Sequence, residues 1–105
     1  MAESTTGTPG SEVLERQETQ TCLPRLYKVL LHNDDYTTME FVIEVLESIF
    51  AKSPAEAFRI MMLVHEKGLG VCGVYPFEIA ETKVSLVHER ARRRGFPLRA
   101  SMEEM

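Results

Sequence analysis

The uneven placement of aromatic residues is the feature that most limits how this chain can fold. All five Phe and all three Tyr of the 105 residues lie between Tyr27 and Phe96. A segment poor in large apolar side chains cannot bury enough surface to offset the conformational entropy lost on folding. Residues 1–24 are therefore predicted to be a disordered N-terminal segment, and residues 25–105 to form a single small domain.

Charge and size narrow the classes of function. The N-terminal segment holds four Glu and one Arg, a net charge of −3, so the predicted domain keeps only −1 of the chain's −4. The basic run Arg90, Arg92, Arg93 and Arg94 falls short of the electropositive surface typical of nucleic-acid binding, and it suits the last turn of a helix. Because 81 residues are too few for a large cofactor fold, a recognition module is favoured over an enzyme.

The sequence also predicts a compartment and a redox state. It shows no secretory signal and no apolar run approaching the roughly 18 residues of a membrane span, so we expect a cytoplasmic protein without membrane contact. Cys22 falls in the N-terminal segment and Cys72 in an apolar, strand-like run. Two reduced thiols are expected rather than a disulfide.

Capping signals and hydrophobic periodicity predict the first half of the domain. A β-rich run from Arg25 ends in the polar residues 32–35, which is typical of a strand entering a turn. Thr37 and Glu40 have the spacing of a capping box, so a helix is predicted from there to about Phe50. Ser53, which precedes a proline, and Gly68 delimit a second helix.

The second helix carries an apolar stripe that a histidine joins, and further elements follow it. The stripe consists of Phe58, Met61, Met62 and His65. We expect a strand over residues 70–75, a third helix after Pro76 that ends at Gly95, and a last strand over residues 96–100. The order β-α-α-β-α-β predicts an α+β fold in which a three-stranded antiparallel sheet packs against three helices.

A cluster of polar residues, 32–37, lies between the first strand and the first helix. Its residues are good turn formers, and they are also able to bind a ligand. His32, Asp34, Asp35 and His65 could be metal ligands, but they lack the spacing of known metal motifs, and no catalytic motif or cofactor site is recognisable. A small metal-dependent or acid/base enzyme using Asp34, Asp35 and His65 remains an alternative, as does a structural protein-interaction domain that does not recognise a chain terminus.

Four stretches of the sequence carry a resemblance to a known family. They are residues 26–43, 61–68, 71–75 and 80–83, with Asn33-Asp34-Asp35-Tyr36-Thr37, His65 and Ala80-Glu81-Thr82-Lys83 in matching order and spacing. Over residues 25–105 the chain closely resembles the bacterial ClpS adaptors. The resemblance implies a monomeric adaptor that binds proteins by an N-terminal Phe, Tyr, Trp or Leu and delivers them to the N-terminal domain of the ClpA unfoldase of the ClpAP protease.

The resemblance also implies roles for individual residues. Asn33, Asp34 and His65 would hold the α-amino group of the substrate, and Glu78 and Lys83 would contact the unfoldase. The pocket for the substrate side chain would be lined by Leu31, Asp34, Thr37, Met39, Val42, Met61, Val64 and Leu98. The N-terminal segment would serve as the extension needed for delivery. Thr38 replaces a proline common in the family, which bears on the shape of the gate near Met39.

Overall fold

A computed structural model describes residues 23–105 of the chain. The elements follow the predicted order: β1 (Leu26–His32), α1 (Met39–Ser48), α2 (Pro54–Lys67), β2 (Leu69–Pro76), α3 (Phe77–Arg94) and β3 (Arg99–Glu104). The α+β architecture with three strands and three helices is confirmed. The predictions made for residues 1–22, including the disordered state and the reduced thiol of Cys22, lie outside the described residues.

The sheet is antiparallel, with strand order β2-β1-β3, so the first strand lies at its centre. Val29 and Leu31 of β1 are fully buried, as expected for alternate residues on the face that packs against the helices. The last strand begins three residues later than predicted. Pro97 has no N–H to donate to a sheet, and the Phe96 ring packs on Phe41 with the ring centroids 4.9 Å apart.

The start of α1 differs from the predicted capping box by one residue. Thr38 is the N-cap, and its hydroxyl accepts a hydrogen bond from the Phe41 N–H at 3.1 Å. The Thr37 hydroxyl lies in the preceding loop, where it donates to the Asp34 carboxylate, and the helix begins one residue later than the predicted box requires. The predicted pairing of Thr37 with Glu40 is therefore wrong.

The second helix begins and ends as predicted. The Ser53 hydroxyl accepts from the Glu56 N–H, and Gly68 closes the helix in the left-handed conformation, with φ 93°. Its buried face is turned by about one residue from the predicted stripe and consists of Ala57, Ile60, Met61 and Val64. Phe58 is exposed, and His65 lies exposed at the edge of this face.

The third helix ends at Gly95, which is left-handed with φ 79°, as predicted. Its buried residues, Ala80, Val87 and Ala91, are small, which allows the helix to approach the sheet closely. The last turn carries the exposed arginines 92–94, in accordance with the favourable interaction of cations with a helix C-terminus.

Cys72 of β2 is a free cysteine, 1% exposed, in the core between the sheet and the helices. Burial raises the pKa of its thiol to about 12, so the thiol is protonated and unreactive at neutral pH. Within residues 23–105, no helix has the length and apolar character needed to span a membrane.

Candidate functional site

The end of β1, the end of α2 and the start of β2 meet at one end of the sheet. His32, the last residue of β1, pairs with Leu69, the first residue of β2, and α2 ends two residues before Leu69. The Asn33 N–H donates to the Gly68 carbonyl at 2.9 Å. This hydrogen bond fastens the polar loop after β1 to the end of α2, and it thereby brings residues that are more than thirty positions apart in sequence to one place.

A pocket opens at this junction. Its volume is about 220 Å³. The lining residues come from the loop and from the two facing helices: Asn33, Asp34, Asp35, Thr37, Met39, Val42, Met61, Val64 and His65. The structure thus brings His65 together with the loop residues, which the sequence alone could not decide.

Asp34 organises the loop. One carboxylate oxygen, Oδ1, accepts from the backbone N–H groups of Tyr36 and Thr37 at 2.8 and 2.7 Å. The other, Oδ2, accepts from the Thr37 hydroxyl at 2.7 Å. A carboxylate has about four acceptor positions. Three are used inside the loop, and one position on Oδ2 is left for a ligand.

The same hydrogen bonds keep Asp34 ionised. Partial burial raises the pKa of the Asp34 carboxyl, but the hydrogen bonds from the Thr37 hydroxyl and from the Thr37 and Tyr36 N–H groups outweigh burial and lower it below the ordinary value. A hydrogen bond to the charged form of a carboxyl always favours that form. The pocket therefore contains a fixed negative charge at neutral pH.

The apolar walls of the pocket come from helical spacing. Met39 and Val42 are three residues apart on α1, and Met61 and Val64 are three apart on α2, so each pair lies on one face of its helix. His65 is four residues after Met61 and shares that face. Val42, Met61 and Val64 are buried, whereas Met39 is 46% exposed and lies at the pocket mouth.

The charge around the pocket has one sign. Asp34 and Asp35 both line it, and none of its lining residues is a lysine or an arginine. Among the described residues, the side-chain amide of Asn33 and the imidazole of His65 form no intramolecular hydrogen bond. The site is therefore suited to a ligand that joins a cationic hydrogen-bond donor to an apolar group.

The hypothesis of a metal site has no support in residues 23–105, where no three or more His, Cys, Asp or Glu side chains are arranged to hold a metal ion. His32, one of the four candidate ligands, is not a pocket residue. Its Nε2 instead lies 2.6 Å from the Ser101 hydroxyl across the sheet. Asp34, Asp35 and His65 do line the pocket together.

Two of the predicted pocket residues do not line the pocket. Leu31 is fully buried in the core, and Leu98 is 4% exposed and lies beside a separate groove at the end of α3. The other six predicted residues, Asp34, Thr37, Met39, Val42, Met61 and Val64, all line it. Asp35 is a lining residue that the resemblance did not assign, although its position next to Asp34 was a usable signal.

The two residues expected to contact an unfoldase differ in their surroundings. Glu78 is exposed in the first turn of α3. Lys83 is half-buried, and its Nζ donates to the Ile49 carbonyl at 2.7 Å, near the rings of Phe50 and Tyr75. The sequence did not predict that the Lys83 side chain packs against the domain, because its hydrogen-bond partner Ile49 lies 34 residues away in the sequence.

The fold and the pocket together define a small α+β recognition domain with an acidic mouth and apolar walls. Residues 23–101 match the family of the ATP-dependent Clp protease adaptor protein ClpS, and the chain belongs to this family. The family is one of adaptor proteins of the Clp protease.

Individual relatives agree with this assignment. The chain is 65% identical over 82 residues to the ClpS adapter of Nitratidesulfovibrio vulgaris, covering 78% of this chain and 82% of that one. It is 54% identical over 95 residues to ClpS of Caulobacter vibrioides, covering 90% and 87%. The solved structure of Agrobacterium tumefaciens ClpS2 bound to L-phenylalaninamide superposes with a TM-score of 0.77 at 42% identity, covering 79% of this chain and 100% of that one.

Proposed function

We propose that this adaptor recognises proteins that begin with Phe, Tyr, Trp or Leu and delivers them, as a cytoplasmic monomer, to the ClpAP protease. The observation that carries the proposal is the pocket, in which an acidic, cation-free mouth adjoins apolar walls. L-phenylalaninamide, the molecule bound to the Agrobacterium relative, combines a free α-amino group with an apolar side chain. A ligand of that chemistry suits both parts of the present pocket.

The α-amino group is proposed to bind at Asn33, Asp34 and His65. A free α-amine is largely an ammonium at neutral pH, because its ordinary pKa is about 7.7 to 8.0, and it has three hydrogens to donate. The free position on Asp34 Oδ2, the Asn33 carbonyl and a neutral His65 nitrogen are three suitable acceptors. The N–H of an internal peptide bond has one hydrogen and no charge, so it cannot replace an N-terminus.

The substrate side chain is proposed to enter between Met39, Val42, Met61 and Val64, with Thr37 at the rim. Burying about 150 to 250 Å² of an aromatic side chain contributes about 4 to 6 kcal/mol at 25 cal/mol per Å². Hydrogen bonds to the charged amine add about 2 to 4 kcal/mol. Before the costs of association, the total is close to the roughly 8 kcal/mol of micromolar binding, so both parts of the ligand are needed.

Leu31 and Leu98 are proposed to pack behind the pocket rather than to contact the ligand, in accordance with their burial. Delivery is proposed to use Glu78, which is exposed, and Lys83 in contact with the N-terminal domain of ClpA. Residues 1–24 are proposed as the extension that the unfoldase engages.

Binding is tested by titrating the full chain with a Phe-initiated peptide while following backbone amide signals by NMR. We expect the largest shifts at Asn33, Thr37 and His65, and small shifts at Glu78. Shifts concentrated away from the pocket would contradict the proposal. The peptide should be recovered unchanged, whereas cleaved or modified peptide would favour the enzyme alternative.

The role of His65 is tested by pH. Protonation turns an imidazole from an acceptor into a donor, so affinity should fall at a pH low enough to protonate it. Asp34 remains ionised at mildly acidic pH because its pKa is lowered. His65→Ala should bind more weakly and lose the pH dependence, and a variant that keeps both the affinity and the pH profile would exclude His65.

Delivery is tested separately with purified ClpAP and a folded reporter that begins with Phe. The full chain should accelerate its degradation, while Glu78→Lys should slow degradation without changing peptide affinity. If peptide binding is intact but degradation is never accelerated, recognition stands and the proposed delivery fails.

A further inference from the structure

A groove on the solvent-facing side of α2, called here the α2 groove, is not used by the proposed function. Its volume is about 390 Å³, and it is lined by Phe58, Arg59, Met62, Leu63 and Glu66. Phe58 is 55% exposed, although the sequence pattern predicted it on the buried face of the helix. Single exposed apolar residues are common on protein surfaces, but here three apolar side chains line one groove.

The polar residues of the α2 groove leave its apolar part open. The Arg59 guanidinium is held by the Glu56 carboxylate, with Nη2 2.6 Å from Oε2 and Nε 3.3 Å from Oε1. Glu66 is exposed and forms no ion pair within residues 23–105. The groove is therefore suited to an apolar side chain, and it does not require a charged partner for Arg59.

The α2 groove continues directly from the pocket. Met62 lies three residues before His65, and Phe58 lies three residues before Met61. His65 and Met61 line the pocket, whereas Met62 and Phe58 line the groove. Residues three apart on a helix are neighbours on its surface. A chain that leaves the pocket across α2 therefore meets the apolar groove at once.

The opposite side of the pocket offers no such continuation. The exposed residues of α1 that follow Met39 are three glutamates and a serine: Glu40, Glu44, Glu47 and Ser48. A polypeptide that crosses α1 would pass over carboxylates, whereas one that crosses α2 would pass over Met62 and Phe58. Burial of apolar surface favours the second course.

We propose that the α2 groove binds an apolar side chain at the third or fourth position of the substrate, an inference that rests on the proposed function. Met62 and Phe58 precede His65 by three and seven residues, about 4.5 and 10.5 Å along the helix axis. An extended chain advances about 3.3 to 3.6 Å per residue, so the third and fourth residues lie about 7 and 10 Å beyond the first. The substrate runs along α2 from His65 towards Phe58.

The subsite is tested by calorimetric titration of the full chain with Phe-initiated peptides. Each peptide carries one Leu at position 2, 3, 4 or 5 of an otherwise Gly and Ser sequence. Leu at position 3 or 4 should raise affinity about five- to tenfold over the peptide without Leu, because two apolar side chains are then buried together. No gain at any position, equal gains at all four, or a gain confined to positions 2 and 5 would overturn the proposal.

Phe58→Ala connects this gain to the α2 groove, and Leu86→Ala is the matched control. Both side chains are apolar and exposed on a helix, and neither lines the pocket. Phe58→Ala should abolish the gain from Leu, whereas Leu86→Ala should retain it. A gain that persists in Phe58→Ala would overturn the proposal, because the Leu would then bind elsewhere.

L-phenylalaninamide separates failure of this inference from failure of the proposed function. It has no residue beyond the first, so it should bind the original chain and Phe58→Ala equally. If it binds neither protein, the proposed function is overturned together with the inference, whereas an absent Leu gain overturns the inference alone.

Other occupants of the α2 groove would give different results. If Phe58→Ala dissociates a dimer in sedimentation experiments, the groove is covered by a second copy of the chain. If Phe58→Ala slows ClpAP degradation of a reporter whose Phe is followed only by Gly and Ser, the groove contacts the protease machinery. Either result without a loss of the Leu gain would overturn the proposal.

Discussion

The two ends of the central strand β1 are stabilised by different kinds of contact. At the Tyr27 end the fold is closed by rings: Tyr27 contacts Phe77 with centroids 5.4 Å apart, and Tyr75, which pairs with Tyr27, lies 6.4 Å from Phe50. At the His32 end, hydrogen bonds hold a polar loop against a helix end and leave a pocket open. The first end is stabilised by apolar packing, and the second by fixing polar groups without covering them.

The comparison shows why a ligand would bind at only one of these ends. The aromatic pairs at the Tyr27 end contain no carboxylate that could bind an ammonium group. The loop retains acceptors because Asp34 is held by its own neighbours and does not need a partner from the core. Substitutions at the two ends should therefore separate binding from stability.

The largest effect is expected for Asp34→Asn at the open end. The change removes the charge facing the substrate ammonium but leaves an oxygen for the Tyr36 and Thr37 N–H groups. Affinity for a Phe-initiated peptide, measured by calorimetry, should fall about 10- to 100-fold, the equivalent of a charged hydrogen bond.

Asp35→Asn is the matched comparison for this change. It removes an equal charge from the same pocket but no loop-organising group, and its effect should stay within about fivefold. Equal losses for the two variants would mean that only the total charge matters, and not the geometry of Asp34.

Lys83→Met is expected to weaken the packing at the Tyr27 end of the central strand. The variant loses the hydrogen bond to the Ile49 carbonyl and the contacts with the Phe50 and Tyr75 rings, which lie 5.9 and 5.4 Å from Nζ. The free energy of unfolding in urea should fall by about 1 to 3 kcal/mol, while peptide affinity stays unchanged. Unchanged stability would show that Lys83 is free to serve only a partner.

Met39→Ala widens the mouth of the pocket. Since Met39 is 46% exposed at the start of α1, shortening it should cost little stability. Peptides that begin with Ile or Val should gain about fivefold to tenfold in affinity, the equivalent of about 1 kcal/mol of relieved crowding. A first-residue series that shows no gain would reject Met39 as the gate.

Gly70→Ala is expected to disturb the pocket indirectly, through its wall residue Val64. A Cβ atom at Gly70 would lie 3.0 Å from Cγ2 of Val64, a pocket residue, so Val64 must shift. We expect a loss of about 1 kcal/mol in stability and a few-fold loss in affinity. Loss of stability with unaltered affinity would show that the Val64 wall does not contact the ligand.

The smallest expected effect is on the pH dependence of stability. A carboxyl whose pKa is lower in the folded than in the unfolded state stabilises the fold above its ordinary pKa, and that stability is lost as the pH falls through the folded value. Urea midpoints of the natural chain should therefore drop more steeply below about pH 4 than those of Asp34→Asn. If the urea midpoints of the two proteins fall equally with pH, Asp34 does not contribute to the pH dependence of stability.

Local signals predicted much of this fold. Ser53 and Gly68 limit α2 as expected, because a capping hydroxyl and a left-handed glycine act within a few residues of the chain. The capping box at Thr37 was wrong by one residue: of the two adjacent threonines the second caps the helix, and the first donates to Asp34 in the loop. The buried face of α2 was misplaced by one residue, since Phe58 is apolar but exposed.

The pocket depends on information that periodicity does not contain. The resemblance supplied most of its residues, but the hydrogen bond from Asn33 to Gly68 and the inward course of Lys83 join positions more than thirty residues apart. Leu31 and Leu98 were expected at the pocket and lie buried in the core instead. Which of two apolar neighbours faces a cavity is decided by tertiary packing.

The most direct test of the account compares four peptides that differ only at the first residue: Phe or Ala, each with a free or an acetylated amine. If the acidic mouth and the apolar walls are used together, only free Phe should bind near micromolar affinity, and either single change should weaken binding about 30-fold or more. Acetylated Phe binding within threefold of free Phe would show that the pocket does not recognise an N-terminus.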